Sequence, residues 1–396
     1  MAPPTAKLGE RPPWVLVYMS PASAFCRNVA AGVSEYSHRN DSWELGLLEP
    51  SERPRLSPLK NLSGVIASGQ SDAVRRYLRR FYDRTGIPVV LTADSDDYDL
   101  PRVAPNDAIV GRMALETFRD RGFRHVAFTG PWQPTASTLR REAFCREAQR
   151  AGLKVSVFQG NSPVYLEPVT KAHRDLRRWL VGLAKPVGLL VFCDSRALTV
   201  LHLCREADIS VPEEIAVLGV DNDTLLCEMT HPRLSSIDHG ARRIGYEAAA
   251  LLDDLMHGRE VPKPPVLVDP IGVVERHSTD TMAIEDPEIV AALRFIRERA
   301  GEGIDVRDVL QAAALSRRAL ERGFRRTLGR TVYQEILRVR VEMAKHLLLR
   351  TDMPLTHVSN RCGFSYRTKM SEVFKRLTGL TPRQYRRKFY VGGDRH

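Results

Sequence analysis

Leu315–Thr331 reads LSRRALERGFRRTLGRT, and Phe364–Thr381 reads FSYRTKMSEVFKRLTGLT. The two stretches are one pattern written twice. Phe324, Gly329, Thr331 and Gln334 return as Phe374, Gly379, Thr381 and Gln384, while upstream Val306 and Val309 return as Leu355 and Val358 with one residue inserted between. A repeat this short is a duplicated helical module. In the first copy Val306, Val309 and Leu310 make one apolar face, Ser316 is placed to cap a second helix, and Leu320, Phe324 and Leu328 recur at helical spacing. The second copy is expected to turn Met370, Phe374 and Leu377 inward. Both copies close on Thr-x-x-Gln (Thr331/Gln334 and Thr381/Gln384), a capping box that opens a further helix, with Pro382 in its first position. Between the copies Ile336, Val339, Met343 and Leu347 mark one long amphipathic helix that joins the modules rigidly.

Opposite the apolar face of the first module stand Arg318, Arg322 and Arg325, and opposite that of the second stand Thr368, Glu372 and Lys375. A cationic stripe on the second helix of a helix-turn-helix suits the DNA major groove, where Arg pairs with the guanine edge and Glu accepts from cytosine. With Ser316, Arg317 and Glu321 in the first copy, and Ser365, Tyr366, Arg367 and Ser371 in the second, these form the candidate DNA-contacting set. A solvated basic face is the plainer reading of one such helix. The same arrangement twice, on a rigid spacer, favours double-stranded DNA.

Charge agrees. The 396-residue chain carries a net charge of +11. From Asp286 onward there are 24 Lys and Arg against 12 Asp and Glu, whereas the remainder has 35 against 36. All the excess positive charge lies on the duplicated module, which points to a polyanion. A membrane surface is the competing polyanion, but the module has no aromatic-rich amphipathic face, so no membrane partner is expected.

These residues carry a family resemblance. Residues 286–390 resemble the AraC/XylS-type DNA-binding domain through Gly363, Phe364, Ser365, Phe374, Lys375, Gly379, Thr381, Pro382, Tyr385 and Arg386. Three positions depart from its pattern. Ala314 stands where the first turn usually has Gly, Met370 replaces an aromatic residue, and Gly323 lies inside the first recognition helix, where it is expected to soften that helix.

Ahead of this module the rhythm changes. Residues 1–13 are Pro-rich and expected to be disordered. The runs WVLVYM (14–19), GVIA (64–67), IPVVL (87–91), HVAFT (125–129), VGLLVF (187–192) and IAVLGV (215–220) read as buried parallel strands. Helical stretches are expected near 24–38, 71–84, 107–121, 138–151, 171–183, 195–207 and 241–257, and an extended one at 262–275. Such alternation predicts a doubly wound α/β domain, long enough to form two lobes.

Ligands of open α/β sheets sit at the carboxyl ends of the strands. Candidates there are Arg27 after the first strand, Trp132 and Arg140 with Arg141 after HVAFT, Asp194 after VGLLVF, and Asp221 and Asn222 after IAVLGV. Carboxylate, amide and guanidinium groups each pair with neighbouring hydroxyls, and an indole offers a platform for the C–H face of a sugar. Taken singly, Asp194 is equally readable as a helix N-cap, and the arginines as surface charges. Their convergence at one sheet edge favours a binding site.

Residues 14–275 also resemble a known architecture, the periplasmic-binding-protein-like sensor of LacI-type repressors. IAVLGVDND matches the strand whose terminal Asp binds ligand, which maps to Asp221. RREAF (140–144) matches the motif that maps to Arg140, and SSIDHGARRIGYEAAALL (235–252) places His239 near the pocket mouth. Cys193 stands where many members have Asn, and Asn106–Asp107 inverts a frequent order. The joined architecture resembles the bacterial xylose-operon activators, through HGARRIGYEAA, VVERHSTD (273–280) and DPEIVAALRFIRERAGEGIDVRDVL (286–310). That resemblance implies a homodimeric activator that responds to D-xylose and engages RNA polymerase. The loop MSPASAFCRN (19–28), expected to line the pocket, diverges.

The expected fold is thus an α/β two-lobed periplasmic-binding-protein-like sensor (14–275), a linker (276–286), an all-α double helix-turn-helix domain (287–390) and a tail (391–396). Six scattered cysteines (26, 145, 193, 204, 227 and 362) show no metal spacing and fit a cytosolic protein with reduced thiols and neither metal nor cofactor. Residues 14–19 are too short an apolar run for a signal peptide or membrane span. Without Gly-x-Gly-x-x-Gly, Gly-x-x-x-x-Gly-Lys-Ser/Thr or Gly-x-Ser-x-Gly, an enzyme is not expected and no catalytic residue is assigned. The remaining rivals are a DNA binder without a ligand and a regulator for another small molecule.

Overall fold

The computed structural model describes residues 12–40, 43–50, 61–68, 72–92, 99–131, 136–158, 160, 170–284 and 286–389. Apart from Pro12 and Pro13, the N-terminal segment expected to be disordered lies outside these residues, as do Trp132 and the tail 391–396. The chain divides into two compact units. The first comprises 1–118 and 124–281, the second 119–123 and 282–396.

The first unit begins with β1 (Trp14–Tyr18), α1 (Ala24–Asn40), β2 (Glu44–Leu48), β3 (Leu62–Ala67), α2 (Asp72–Thr85), β4 (Val89–Leu91) and β5 (Val103–Pro105). It continues through α3 (Asp107–Arg119), β6 (His125–Thr129), α4 (Ala136–Arg150), β7 (Lys154–Val157), α5 (Lys171–Gly182), β8 (Val187–Val191) and α6 (Asp194–Glu206). The last part holds β9 (Ile215–Val220), α7 (Thr224–Met229), β10 (Ser235–Asp238), α8 (Ala241–Met256), β11 (Val266–Val268) and β12 (Gly272–Val274).

Two sheets result, one per lobe. The first runs β2-β1-β3-β4 and is parallel throughout, and a bridge between Leu91 and Arg102 joins the parallel pair β5–β11 to its edge. The second runs β12-β10-β9-β8-β6-β7, with only β12 antiparallel. Strands β8 and β9 are wholly buried, which is why they read as unbroken apolar runs. The short strands β2, β5, β7 and β10 lack such runs and were not expected. Helix α8 returns the chain to the first lobe, where it packs on α1 backbone to backbone. A Cβ on Gly32 would stand 1.8 Å from the Arg242 carbonyl oxygen, and one on Gly245 would stand 1.9 Å from that of Val29.

The expected linker begins later than its sequence suggests. Residues 277–279 form a 3-10 turn sewn into the second sheet: the Ser278 hydroxyl donates to the Val217 carbonyl at 2.6 Å and accepts the Ser235 N–H at 2.9 Å. Residues 276–281 therefore belong to the first unit.

The second unit holds α9 (Pro287–Arg299), a 3-10 turn at Ala300–Glu302, α10 (Val306–Ala312), α11 (Arg317–Leu328), α12 (Val332–Arg350), α13 (Leu355–Arg361), α14 (Arg367–Thr378) and α15 (Pro382–Phe389). Ser316 caps α11 by accepting the Ala319 N–H, and both Thr-x-x-Gln boxes form. One expectation is corrected. Leu377 is 49 % exposed, and Val373 fills the core beside Met370 and Phe374. Gly323 lies where α9 packs close to α11, since a Cβ there would meet the Ile289 side chain at 2.3 Å.

Helix α12 joins the two modules and is held at its middle and near its C-terminal end. Buried Arg340 donates to the carbonyls of Ala300 (2.9 Å) and Ile304 (2.7 Å) and stacks on Phe364. Arg386 donates to the carbonyls of Leu348 (3.3 Å) and Met353 (2.6 Å). Glu335 is fully buried in the first turn of α12. Burial alone would raise its pKa, but Arg338 and Arg330 outweigh that and hold it at about 2.

Candidate ligand cleft and nucleic-acid interface

The carboxyl ends of β6, β8, β9 and β10 carry a buried polar cluster. Arg140, one turn into α4 and 3 % exposed, donates through Nε and Nη2 to Asp107 Oδ1 at 2.8 and 2.7 Å. Its Nη1 donates to the Phe192 carbonyl, and its guanidinium lies 4.7 Å from the Phe192 ring. Asp107, at the start of α3, was noted in the sequence only for its order after Asn106. Paired in this way, the guanidinium is neutralised from within.

Asp221 ends β9 with φ of 116°, and Asn222 follows with φ of 51°. Two successive non-glycine residues in this region store strain, a feature concentrated at ligand sites. The Asp221 side chain keeps 17 % of its surface open, and its Oδ1 lies 3.5 Å from His239 Nδ1. Burial, then Asp194, raises the Asp221 carboxyl well above the usual range, with Arg140 opposing. His239 follows β10, packs 5.3 Å from Phe25 and is 2 % exposed. Burial, aided by Arg140, lowers its pKa to about 3, so the imidazole is neutral and its approach to Asp221 is not an ion pair. Neither ring nitrogen finds a hydrogen-bond partner among the described residues, and neither does the buried hydroxyl of Thr129 at the end of β6. Unpartnered buried polar groups at strand ends suit a ligand rich in hydroxyls.

Asp194 proves to be an internal support. Cys193 holds the N-cap position of α6, so the N-cap reading of Asp194 is corrected. The Asp194 carboxylate accepts from the Asp223 N–H (2.8 Å), the Ser236 hydroxyl (2.7 Å) and the Cys227 thiol (3.4 Å). Burial pushes its pKa up to about 7, against these hydrogen bonds. Asn222 is similarly engaged: its N–H donates to Ser236 Oγ at 3.0 Å, and its Oδ1 accepts from Arg276 Nη2 at 3.1 Å.

Arg27 reaches across the lobes. Its Nη2 pairs with Asp223 Oδ2 at 3.1 Å, while its Nη1 donates to the carbonyls of Pro21 and Ala22. Asp223 had been read only as part of a strand-end trio, and Arg276 not at all. An arginine just after the short edge strand β12 carries no local signal.

Arg140, Asp221 and His239 are thus brought together. Asp194 and Asn222 support the same strand ends, and Arg27 closes on Asp223. The arrangement can accept and donate hydrogen bonds to an uncharged ligand. Burial pushes the Cys193 thiol up to about 11, which disfavours a thiolate there. No group of three metal-ligating side chains occurs among the described residues.

In the second unit α11 presents Arg317, Arg318, Arg322 and Arg325 to solvent with Ser316, while Glu321 is half-buried. Arg326 is a further exposed cation on this helix. On α14 the side chains of Ser365, Tyr366, Arg367, Thr368, Glu372 and Lys375 are exposed and Ser371 is half-buried. Glu372 is paired with Lys369 at 3.2 Å, an i,i+3 contact on one helix face. The two faces differ in chemistry: the exposed charges of α11 are all arginines, whereas α14 mixes charge, hydroxyl and an aromatic ring.

Comparison with known proteins agrees with this division. A periplasmic binding protein-like domain model matches residues 115–279, and a helix-turn-helix domain model matches residues 309–388. The chain is 32 % identical over 377 residues to the xylose operon regulatory protein of Escherichia coli K12, covering 92 % of this chain and 94 % of that one. It is 30 % identical over 371 residues to the protein of the same name from Haemophilus influenzae, covering 91 % and 94 %. A solved structure described as a xylose-binding transcription activator superposes with a TM-score of 0.61 at 28 % identity, covering 97 % of this chain and all of that one.

Proposed function

Because the chain belongs to the xylose operon regulatory proteins, DNA-binding transcription regulators with a sugar-binding sensor, we propose that it activates sugar-utilisation genes in response to D-xylose. The observation that carries this reading is the Asp221–His239–Arg140 cluster. It sets the partly open Asp221 carboxyl beside the neutral His239, whose ring nitrogens find no hydrogen-bond partner among the described residues, in a chain that also bears two exposed recognition helices.

Asp221, His239 and Arg140 line the ligand, supported by Asp194 and Asn222. Arg27 acts at the mouth, and Trp132, outside the described residues, remains assigned to the sugar face. Ser316, Arg317, Arg318, Glu321, Arg322 and Arg325, with Ser365, Tyr366, Arg367, Thr368, Ser371, Glu372 and Lys375, contact DNA. The active species is a homodimer on paired half-sites that engages RNA polymerase in the cytoplasm. The chain has no enzymatic role, and no cofactor takes part. No helix among the described residues is long and apolar enough to cross a membrane.

One observation favours a second inducer. The loop 19–28, which diverges in sequence, commits Arg27 to Asp223 and to the carbonyls of Pro21 and Ala22. Fluorescence anisotropy on DNA from upstream of the protein's own operon decides between them. D-xylose is expected to shift binding at fixed salt where L-arabinose and D-ribose do not. Specific binding that no pentose alters would redirect the search to another small molecule.

A further inference from the structure

We infer that Arg276 is a positioning residue that ties the ligand-bearing strand end to the segment leaving the sensor. The inference rests on the sugar-responsive reading above. Arg276 follows β12, its side chain is 9 % exposed, and all three guanidinium nitrogens are engaged. Nη2 donates to Asn222 Oδ1 at 3.1 Å, Nε to Glu228 Oε1 at 2.7 Å, and Nη1 to the Leu234 carbonyl at 2.9 Å. One side chain thereby holds the residue after Asp221, the end of α7 and the lead into β10.

Its backbone is held just as firmly. The Arg276 N–H donates to Ser235 Oγ at 2.8 Å, and the Ser235 hydroxyl returns a bond to the Arg276 carbonyl at 3.0 Å. Thr279 Oγ1 donates to the same Ser235 oxygen at 2.7 Å. Six residues beyond Arg276, at Met282, the second unit begins. A change at the strand end therefore has a direct route to the exit segment.

That strand end is suited to change. Asp221 and Asn222 both hold positive φ, at 116° and 51°. A ligand that draws Asp221 toward itself alters the dihedrals of this pair, and the amide of Asn222 moves with them. Since Asn222 offers its carbonyl oxygen to Arg276 and faces Asp238 Oδ2 with Nδ2 at 3.5 Å, the guanidinium registers that displacement. A ligand shifts an equilibrium only by its differential affinity for two states. Arg276 gives the exit segment a contact that differs between them.

The test uses the full chain, its upstream DNA and D-xylose. In the wild type the sugar changes DNA affinity by about 5- to 150-fold, the usual range of coupling between sites. Arg276→Gln is expected to bind D-xylose, read by calorimetry, and DNA without sugar, each within about threefold of wild type, while the sugar-induced change falls below about twofold. Arg276→Lys, which keeps a cation beside Glu228 but cannot fork to Asn222, is expected to lose coupling equally and guards against a folding defect in the first variant. Glu228→Gln, which removes the ion pairs to Arg276 and Arg233 but leaves the bond from Arg276 to Asn222, is expected to keep the response. Wild-type coupling in Arg276→Lys would overturn the assignment, as would equal loss in Glu228→Gln. A wild type that binds D-xylose without any change on DNA would instead refute the sugar-responsive reading, and this inference with it.

Discussion

Ala314 and Gly363 occupy equivalent places in the two helix-turn-helix modules, and both turn the chain through the left-handed region, with φ of 47° and 71°. The same turn is thus made once with a Cβ and once without. A left-handed L-residue costs roughly 1–2 kcal/mol, partly offset by the extra freedom that glycine brings to the unfolded chain. Ala314→Gly is therefore expected to stabilise the second unit by about 0.5–1 kcal/mol, seen as a higher midpoint in urea. The converse is harsher. A Cβ on Gly363 would stand 2.2 Å from the Ala300 carbonyl oxygen, so Gly363→Ala should destabilise by more than Ala314→Gly stabilises.

Arg140 and Asp107 are both almost fully buried and are joined by two short bonds. Removing one partner leaves an uncompensated charge. Arg140→Ala is expected to lower the stability of the first unit by about 3–5 kcal/mol, read by thermal unfolding, in addition to weakening ligand binding. A melting temperature equal to that of the wild type would contradict the enclosure of this pair.

Asp194 sets a pH dependence of unusual sign. Burial raises its folded pKa to about 7, from an ordinary value of 3.8. The native state therefore holds this proton more tightly than the unfolded chain does, and the stability it contributes falls as pH rises through that window. His239 acts oppositely: lowered to about 3, it contributes stability that is lost as pH falls from its ordinary range. Asp194→Asn leaves His239 in place, so the difference between variant and wild type reports Asp194 together with the part of the Asp221 shift that it causes, which has the same sign. Between pH 5 and 8 the melting temperature of the wild type should decline relative to Asp194→Asn, and parallel curves would refute the shift.

Asp221→Ala is expected to abolish the response to sugar while leaving basal DNA binding within about twofold. Titration of sugar against anisotropy checks this, and an unchanged dose–response would remove Asp221 from the ligand.

Arg322 is exposed on the cationic face of α11. Arg322→Ala should weaken specific binding by about 1–3 kcal/mol and relax preference at one base position. Equal loss on specific and random DNA would make it a phosphate contact.

The fold was legible wherever periodicity was strong. The apolar runs of β8 and β9 and the repeat around Phe324 and Phe374 announced both architectures. What escaped was set by tertiary approach. Gly32 and Gly245 read as ordinary helical residues until α1 and α8 are packed, and Gly323 read as a defect until Ile289 is placed against it. Leu377 fitted the apolar spacing as well as Val373 did, since a period of 3.6 leaves neighbouring positions competing for the same face. In the cleft, Asp221 was readable because the apolar run of β9 locates its strand end, whereas His239, which follows the unexpected β10, was placed only by the family resemblance. Arg276 and the commitment of Asp194 to Asp223, Ser236 and Cys227 depend on which loops meet, and no local pattern encodes that.

The bolts that Arg340 and Arg386 drive into α12 bear on how a promoter for this regulator can evolve. With both modules fixed to one helix, the gap between the reading helices cannot follow the DNA. Inserting a single base pair between the two contact patches rotates one about the duplex axis by about 35° relative to the other. The protein can answer only by twisting the DNA, at an elastic cost that depends on the intervening sequence. Single base substitutions therefore erode such a site by degrees, whereas insertions and deletions erase it in one step.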